Sequence, residues 1–264
     1  MSGEPQRKVT LERTGIVARV WLDRPQVMNA FDDELIAQLE AAVQGATSDP
    51  AIRVVVVGGR GKAFSAGADL DWMRRAAAYS GAENRSDAAR LASMLRTLRE
   101  APKVTVARVH GPAMGGGLGL LSACDLALAV KSVSFAFTEV KLGLVPAVIS
   151  PHVMERIGPG RARELFLTAR KFDAQEALRL GLLDRVVDDE AALDAAVAEL
   201  VEQVRAAAPG AIGAAKQLIR AVLTTPRDQI DAWTAGEIAR LRASDEGREG
   251  ILSFLEKRKP SWAT

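Results

Sequence analysis

The chain has 264 residues, 48% of them hydrophobic, enough to build one sizeable core within the range that α/β enzymes fill as a single unit. Its 35 lysines and arginines against 33 acidic residues leave an excess of charge too small to argue for a nucleic-acid or membrane partner. Cys124 is the only cysteine and has nothing to pair with in the chain, so a reducing, cytoplasmic setting is the default expectation.

The first residues, Met1 to Lys8, are polar and lack the apolar stretch of a secretory signal, so no export is expected. Residues 8 to 13 and 16 to 22 are strand-like runs around Thr14-Gly15, the pattern of a hairpin. After Arg24-Pro25, the acidic Asp32-Asp33-Glu34 open a segment with Leu35, Leu39, Ala42 and Val43 on one helical face, and Asp49-Pro50 ends it. Ile52 to Val57 and Val104 to Val109 are short β-branched runs, as expected of strands buried on both faces. Between Ala76 and Arg90 the chain is polar and alanine-rich, and Ser80-Gly81 and Asn84 interrupt any periodicity. A mobile surface loop with short helical pieces, a candidate lid, is expected there.

Gly111 to Val130 is the longest apolar tract, but Asp125, five glycines and a proline within it favour a buried glycine loop leading into a core helix and strand over a membrane span. Leu126 to Val130 and Ser134 to Phe137 read as further strands, so β segments keep alternating with helices, the habit of stacked β-β-α units. From Pro151 onward helical periodicity dominates, with one strand at Leu183 to Val187 and a capping-box spacing at Asp173-Ala-Gln-Glu176. The expected division is a core over residues 1–200 and a C-terminal helical region over 201–264. That region ends in a capped amphipathic segment, 243 to 260, with Ile251, Phe254 and Leu255 apolar.

Three loops carry the chemistry. Gly61-Lys-Ala-Phe-Ser-Ala-Gly-Ala-Asp-Leu70 follows a buried strand and precedes a helix, a junction that leaves N–H groups unpaired and pointing outward. Ala66, Gly67 and Ala68 let a ligand approach the backbone, and Asp69 is placed to cap the next helix; a tight structural turn explains the same residues equally well. His110-Gly-Pro-Ala-Met-Gly-Gly-Gly-Leu-Gly119 is a second such junction with three successive glycines. Neither the phosphate-loop pattern G-x-x-x-x-G-K-S/T nor an acidic residue at dinucleotide-binding spacing accompanies it, so nucleotide readings lose most of their weight. In Phe137-Thr-Glu-Val-Lys-Leu-Gly-Leu-Val-Pro146, Glu139 sits between apolar neighbours, where desolvation raises a carboxyl pKa toward a useful acid–base range. A solvated charge at a strand end is the alternative for Glu139. His110 and His152, the only histidines, are too few to support a metal site or a triad, and no metal is expected.

Taken in order, Leu22-Asp-Arg-Pro-Gln-Val-Met-Asn-Ala30, Phe64-Ser-Ala-Gly-Ala-Asp-Leu70, Gly111-Pro-Ala-Met-Gly-Gly-Gly117, Ala123-Cys-Asp125 and Glu139 with Leu142-Gly-Leu-Val-Pro146 resemble the enoyl-CoA hydratase/isomerase (crotonase) family over almost the whole chain. The resemblance implies an α/β fold, a crotonase-like spiral of β-β-α units with a C-terminal α-helical trimerisation region, and a homotrimer or dimer of trimers. It implies an oxyanion hole made by the backbone N–H groups of Ala68 and Gly116, with Glu139 as the acid–base carboxylate. It places Arg24, Val27, Met28, Ala66, Ala68, Asp69, Leu70 and Gly116 along the CoA groove and brings Phe254 and Lys257 of the tail to bound CoA. Coenzyme A then enters as part of an acyl-CoA substrate, with no resident cofactor and no nucleic-acid or membrane partner.

One departure matters: where typical hydratases of the family carry a first glutamate, this chain has Gly119, which leaves Glu139 alone. With Gly119, the stretch Thr138 to Pro151 is similar to a branch that includes bacterial hydratases of 3-methylglutaconyl-CoA and isohexenylglutaconyl-CoA, enzymes of leucine and acyclic terpene breakdown. That similarity implies hydration of a branched or glutaconyl-type enoyl-CoA, in which a distal carboxylate of the acyl group helps to order water. An enoyl-CoA isomerase, which needs a single carboxylate, is the main rival; thioester hydrolysis, decarboxylation and a binding-only role stand behind it. The segment 72 to 95 and the tail are expected to shape the acyl pocket.

Overall fold

The computed structural model describes residues 7–263, so most of the polar segment read for the absence of an export signal lies outside the described residues. β1 (Val9–Thr14) and β2 (Val17–Leu22) pair as an antiparallel hairpin, Val9 opposite Leu22, across Gly15 at φ +56. α1 (Asp33–Thr47) starts at Asp32, whose carboxylate accepts the Leu35 N–H, and it buries Leu35, Ile36, Leu39 and Val43. β3 (Val54–Gly59) then runs parallel to β2 with every residue buried, as its continuous valines require.

The next segment departs from the sequence expectation. α2 (Leu70–Ala77) is followed after three residues by α3 (Gly81–Glu100), one unbroken helix through the residues expected to form a loop. Ser80 and Glu83 form a reciprocal capping box: the Ser80 hydroxyl accepts the Glu83 N–H at 3.3 Å and the Glu83 carboxylate accepts the Ser80 N–H at 2.7 Å. That cap offsets the weak helix formers Gly81 and Asn84 in the exposed first turn. Met94, Leu95 and Leu98 bury the other end.

β4 (Val104–Val109) lies parallel to β3, and the chain continues through β5 (Ala113–Met114), α4 (Gly116–Ala123), β6 (Leu126–Val130) and β7 (Ser134–Ala136). α5 (Ser150–Thr168) is kinked at Gly158, φ 73, which precedes Pro159. β8 (Phe172–Asp173) leads into α6 (Ala174–Leu180), where Asp173 accepts the Glu176 N–H as its spacing suggested. β9 (Arg185–Val187) precedes α7 (Glu190–Ala206), which runs through residue 200 and contributes Val201 and Val204 to the core. α8 (Pro209–Thr224), α9 (Arg227–Ala243) and α10 (Asp245–Leu255) follow.

The strands form two sheets. The larger has the order β1-β2-β3-β4-β6-β9, parallel except at β1; the smaller is β5-β7-β8. α4 is buried along its whole length after its first residue, packed among β4, β5, β6 and α5. By contrast, α8, α9 and α10 each bury one residue, Ala214, Ile230 and Ser253, and leave Ile219, Val222, Leu223, Ile251 and Phe254 exposed. Among the described residues no helix is long and apolar enough to cross a membrane.

Candidate active site

The site is assembled where the loops after β2, β3 and β5 meet. Beyond Leu22 the chain turns through the short 3-10 segment Pro25–Val27 into Met28 (φ 53) and Asn29 (φ 55), both in the left-handed region. Asparagine tolerates that region better than most residues, and the buried Asn29 amide adds three bonds. Its Nδ2 donates to the carbonyls of Arg60 at 2.9 Å and Ala63 at 2.8 Å, and its Oδ1 accepts the Arg24 N–H at 2.9 Å. The Ala66 N–H donates to Met28 O at 2.9 Å, and the Ser65 hydroxyl donates to Asn29 O at 2.9 Å while accepting the Gly67 N–H at 3.2 Å. The loop after β3 is thereby fastened to the loop after β2.

Arg24 acts inside this junction. Its Nη1 reaches Ala30 O at 2.8 Å and Asp32 at 3.1 Å, and its Nη2 reaches Asp69 at 3.1 Å. Asp69 in turn caps α2, accepting the N–H groups of Asp71 at 2.9 Å and Trp72 at 3.1 Å. Burial opposes its ionisation, but those two N–H groups and the Arg24 guanidinium outweigh burial and hold the carboxyl below its ordinary value. The charged groups of Arg24 and Asp69 therefore face each other, while Met28 beside them stays exposed.

The third loop is laced onto the second. Ser65 bridges to Ala113, the Met114 N–H donates to Ser65 O at 2.9 Å, and the Gly115 N–H donates to Ala136 O at 3.1 Å. Gly67 has φ +89, and a Cβ there would lie 2.8 Å from Met114 O; a Cβ on Gly117 would lie 2.8 Å from Ser65 O. These glycines thus serve loop-to-loop contact, which supports the structural-turn reading. Between them, the N–H groups of Ala68 and Gly116 are left over. The N–H groups of Gly67, Asp69 and Gly115 donate to protein, Asp69 to Phe31 O at 2.9 Å for one. Among the described residues neither the Ala68 nor the Gly116 N–H has a protein acceptor. Gly116 also opens α4, where the first N–H groups of a helix are unpaired by construction.

Glu139 follows β7 at the start of a 3-10 segment, Glu139–Leu142, and faces the same place. A Cβ on Gly115 would lie 3.2 Å from Glu139 Oε1, and Oε2 is buried with no hydrogen-bond partner. Burial pushes this carboxyl above its ordinary pKa. Glu139, Ala66, Ala68, Leu70 and Gly116 all line one cavity of about 430 Å³. Arg24, Val27, Met28, Asp69, Phe254 and Lys257 are not among its lining residues; Phe254 and Lys257 are exposed at the end of α10. The two histidines stand elsewhere: His110 Nε2 contacts Gly61 O at 2.9 Å, and burial lowers the His152 pKa. Among the described residues no cluster of three His, Cys, Asp or Glu side chains is placed to hold a metal.

Residues 12–264 match the family model described as enoyl-CoA hydratase/isomerase. The chain belongs to the enoyl-CoA hydratase/isomerase family. It is 37% identical to a putative enoyl-CoA hydratase of Thermus thermophilus over 93% of this chain and 97% of that one. It is 30% identical to the crotonyl-CoA hydratase of Syntrophomonas wolfei over 96% and 97% of the two chains. An enoyl-CoA hydratase structure from Shewanella pealeana superposes with a TM-score of 0.93 at 37% identity, covering 97% of this chain and 96% of that one. As a member of this enoyl-CoA hydratase/isomerase family, the chain has the crotonase fold and acts on acyl-CoA thioesters.

Several cavity residues of this hydratase/isomerase-family protein were not singled out by sequence. Phe31 packs against Gly116, since a Cβ on Gly116 would lie 3.2 Å from its ring. Trp72, Met73, Ala76, Asp87 and Leu91 build one wall from α2 and α3, within the segment expected to shape the acyl pocket. Val148 and Ile149 also line the cavity, beside Leu142, Leu144, Val145 and Pro146 of the motif already read in the sequence. For Trp72 and Ala76, and for Asp87 and Leu91, helical i,i+4 spacing was the available signal, hidden by the loop reading of residues 76 to 90.

Proposed function

We propose that this chain is an enoyl-CoA hydratase that runs both proton transfers through Glu139, with the thioester oxygen held by the N–H groups of Ala68 and Gly116. The observation that carries the proposal is the buried, unpartnered Glu139 Oε2 in the same cavity as two backbone donors that have no protein acceptor. Glu139, as carboxylate, takes a proton from the water that adds to the β-carbon. Negative charge then moves onto the thioester oxygen, where each preorganised donor lowers the barrier by roughly 3 to 4 kcal/mol. The protonated Glu139 returns its proton to the α-carbon. A carboxyl raised above its ordinary pKa suits both roles. Coenzyme A takes part as a piece of the substrate, and the proton transfers need no resident cofactor.

Of the branched and glutaconyl-type substrates that the family resemblance implies, we favour a branched enoyl-CoA. The cavity walls are largely apolar, and a second carboxylate on the acyl chain would share the cavity with Asp87. Isomerisation is the second reading, because Ile149, buried and lining the cavity, fills the space next to Gly119 and leaves an apolar wall where a second carboxylate would stand. Mass spectrometry of products formed in oxygen-labelled water separates the two. Hydration gives a labelled hydroxyacyl-CoA from a 2-enoyl thioester; conversion of a 3-enoyl to a 2-enoyl thioester without label, and no hydration, would establish the isomerase instead.

We also infer a trimer or dimer of trimers in a cytoplasmic setting. Support comes from the exposed Ile219, Val222 and Leu223 of α8 and from the buried free thiol of Cys124. In such an assembly Phe254 and Lys257 meet CoA bound to a neighbouring copy. Sedimentation velocity tests the assembly, and a monomer at micromolar concentration would contradict it.

A further inference from the structure

Ser65 is fully buried and is bonded to all three loops of the site. Its N–H donates to Pro112 O at 3.2 Å and its carbonyl accepts the Met114 N–H at 2.9 Å, which ties it to the loop that carries Gly116. Its hydroxyl donates to Asn29 O at 2.9 Å and accepts the Gly67 N–H at 3.2 Å. The one hydroxyl proton is thereby spent inside the protein, so Ser65 has none to exchange with a substrate.

These bonds bear on the aim of the Ala68 donor. The Ala68 N–H shares a peptide unit with the Gly67 carbonyl, and in a trans unit the N–H points away from the C=O. That carbonyl accepts the Phe31 N–H at 2.6 Å, and the Asp69 N–H donates to Phe31 O at 2.9 Å, so the backbone of Phe31 fixes one side of the run. Ser65 Oγ fixes the preceding unit by taking the Gly67 N–H, and so leaves the Ala68 N–H as the donor of this run that is open to a ligand. The bonds to Gly67 from Phe31 are backbone bonds; the one from Ser65 Oγ comes from a side chain and can be removed by substitution.

We propose that Ser65 is a positioning residue for the reaction: its hydroxyl aims the Ala68 N–H and sets its spacing from the Gly116 N–H. It acts on the thioester oxygen through those donors. This rests on reading Ala68 and Gly116 as the oxyanion donors, and it adds the side chain that holds them in place.

The test compares Ser65→Ala with Ser122→Ala, which removes a different buried hydroxyl, one on α4 without a hydrogen-bond partner. Each protein is saturated with butanoyl-CoA, isotope-labelled at the thioester carbonyl carbon, and the carbonyl stretch is read by infrared difference spectroscopy. This thioester cannot be hydrated, so the frequency is read whether the protein hydrates or isomerises. The unmodified protein and Ser122→Ala should lower the frequency equally relative to water, and Ser65→Ala by about half as much. In hydration kinetics Ser65→Ala should lose about tenfold in kcat, less than the loss of a whole donor, with butanoyl-CoA affinity kept within about threefold by the CoA portion.

A hydroxyl with a purely structural role lowers the melting temperature of Ser65→Ala and leaves frequency and kcat unchanged in the folded protein; that result overturns the proposal. Should Ser65→Ala not fold, Ser65→Cys decides. Its thiol is a weaker donor and acceptor, so frequency and kcat should move in the same directions, and no movement overturns the proposal. An unmodified protein that binds the thioester without lowering its carbonyl frequency removes the oxyanion-hole reading and this proposal together. Full lowering in both the unmodified protein and Ser65→Ala overturns this proposal alone.

Discussion

Ile149 occupies the space that a side chain on Gly119 would enter: the Cβ that Gly119 lacks would lie 2.6 Å from Ile149 Cβ and closer still to its Cγ2. Both residues are buried, on α4 and at the start of α5, so neither can yield freely. Gly119→Ala is therefore expected to destabilise the fold by about 1–3 kcal/mol through overpacking. In Ile149→Ala the same substitution should be close to neutral. Thermal or urea unfolding of both single variants and the double variant gives the coupling energy; additive effects would show that the two residues do not compete for space.

Glu139 carries the clearest pH signature. Its pKa is raised by burial, so between the ordinary carboxylate value and the raised one the native state holds a proton that the unfolded state has lost. Stability from this group is complete at acid pH and is lost as pH rises through the folded pKa. Glu139→Gln, which cannot ionise, should match the unmodified protein in melting temperature in acid and exceed it at neutral pH. A gap that is constant across pH would contradict the assigned desolvation. In the unmodified enzyme, kcat/KM for hydration should rise with pH through a pKa above the usual glutamate range.

Gly67 tests the proposed oxyanion hole. At φ +89, with its missing Cβ 2.8 Å from Met114 O, it has no room for alanine. Gly67→Ala should push the two loops apart and misplace the Ala68 donor, lowering kcat by about a hundredfold, the effect of losing one oxyanion donor. Steady-state kinetics with a melting curve decides this, and unchanged kcat in a folded variant would show that the spacing of the loops is not critical.

Arg24 offers a contrast between two roles. With its side chain 12% exposed and paired to Asp32 and Asp69, its removal leaves buried Asp69 without a cation, while Asp32 keeps Lys8 at 2.6 Å. Arg24→Met should cost on the order of 3 kcal/mol in stability, measured by denaturant titration. Were its guanidinium instead a ligand of CoA, the variant would show a higher KM with little loss of stability.

Much of the fold was legible because its elements are locally consistent. The valine run of β3 and the Asp32 and Asp173 caps each have one cause that can be seen in a few consecutive residues. The unbroken α3 was missed because its N-terminal half is exposed, so apolar periodicity is weak there, although Ser80 and Glu83 stood at capping-box spacing. The dual use of Gly67 and Gly117, and the inward pairing of Arg24 with Asp69, depend on residues distant in sequence. The same holds for Trp72 and Asp87, which share a wall only because α2 and α3 pack over one cavity. Gly119 was legible as a departure; that Ile149 fills the space beside it was not.

The central claim is that Glu139 is the acid–base group of a two-donor oxyanion pocket. It is tested most directly by hydration kinetics of Glu139→Gln on an enoyl-CoA that the unmodified enzyme turns over, with CoA-thioester affinity measured in parallel. The account predicts loss of most turnover, at least about a hundredfold, with affinity retained. Full hydration activity in the folded variant would contradict it.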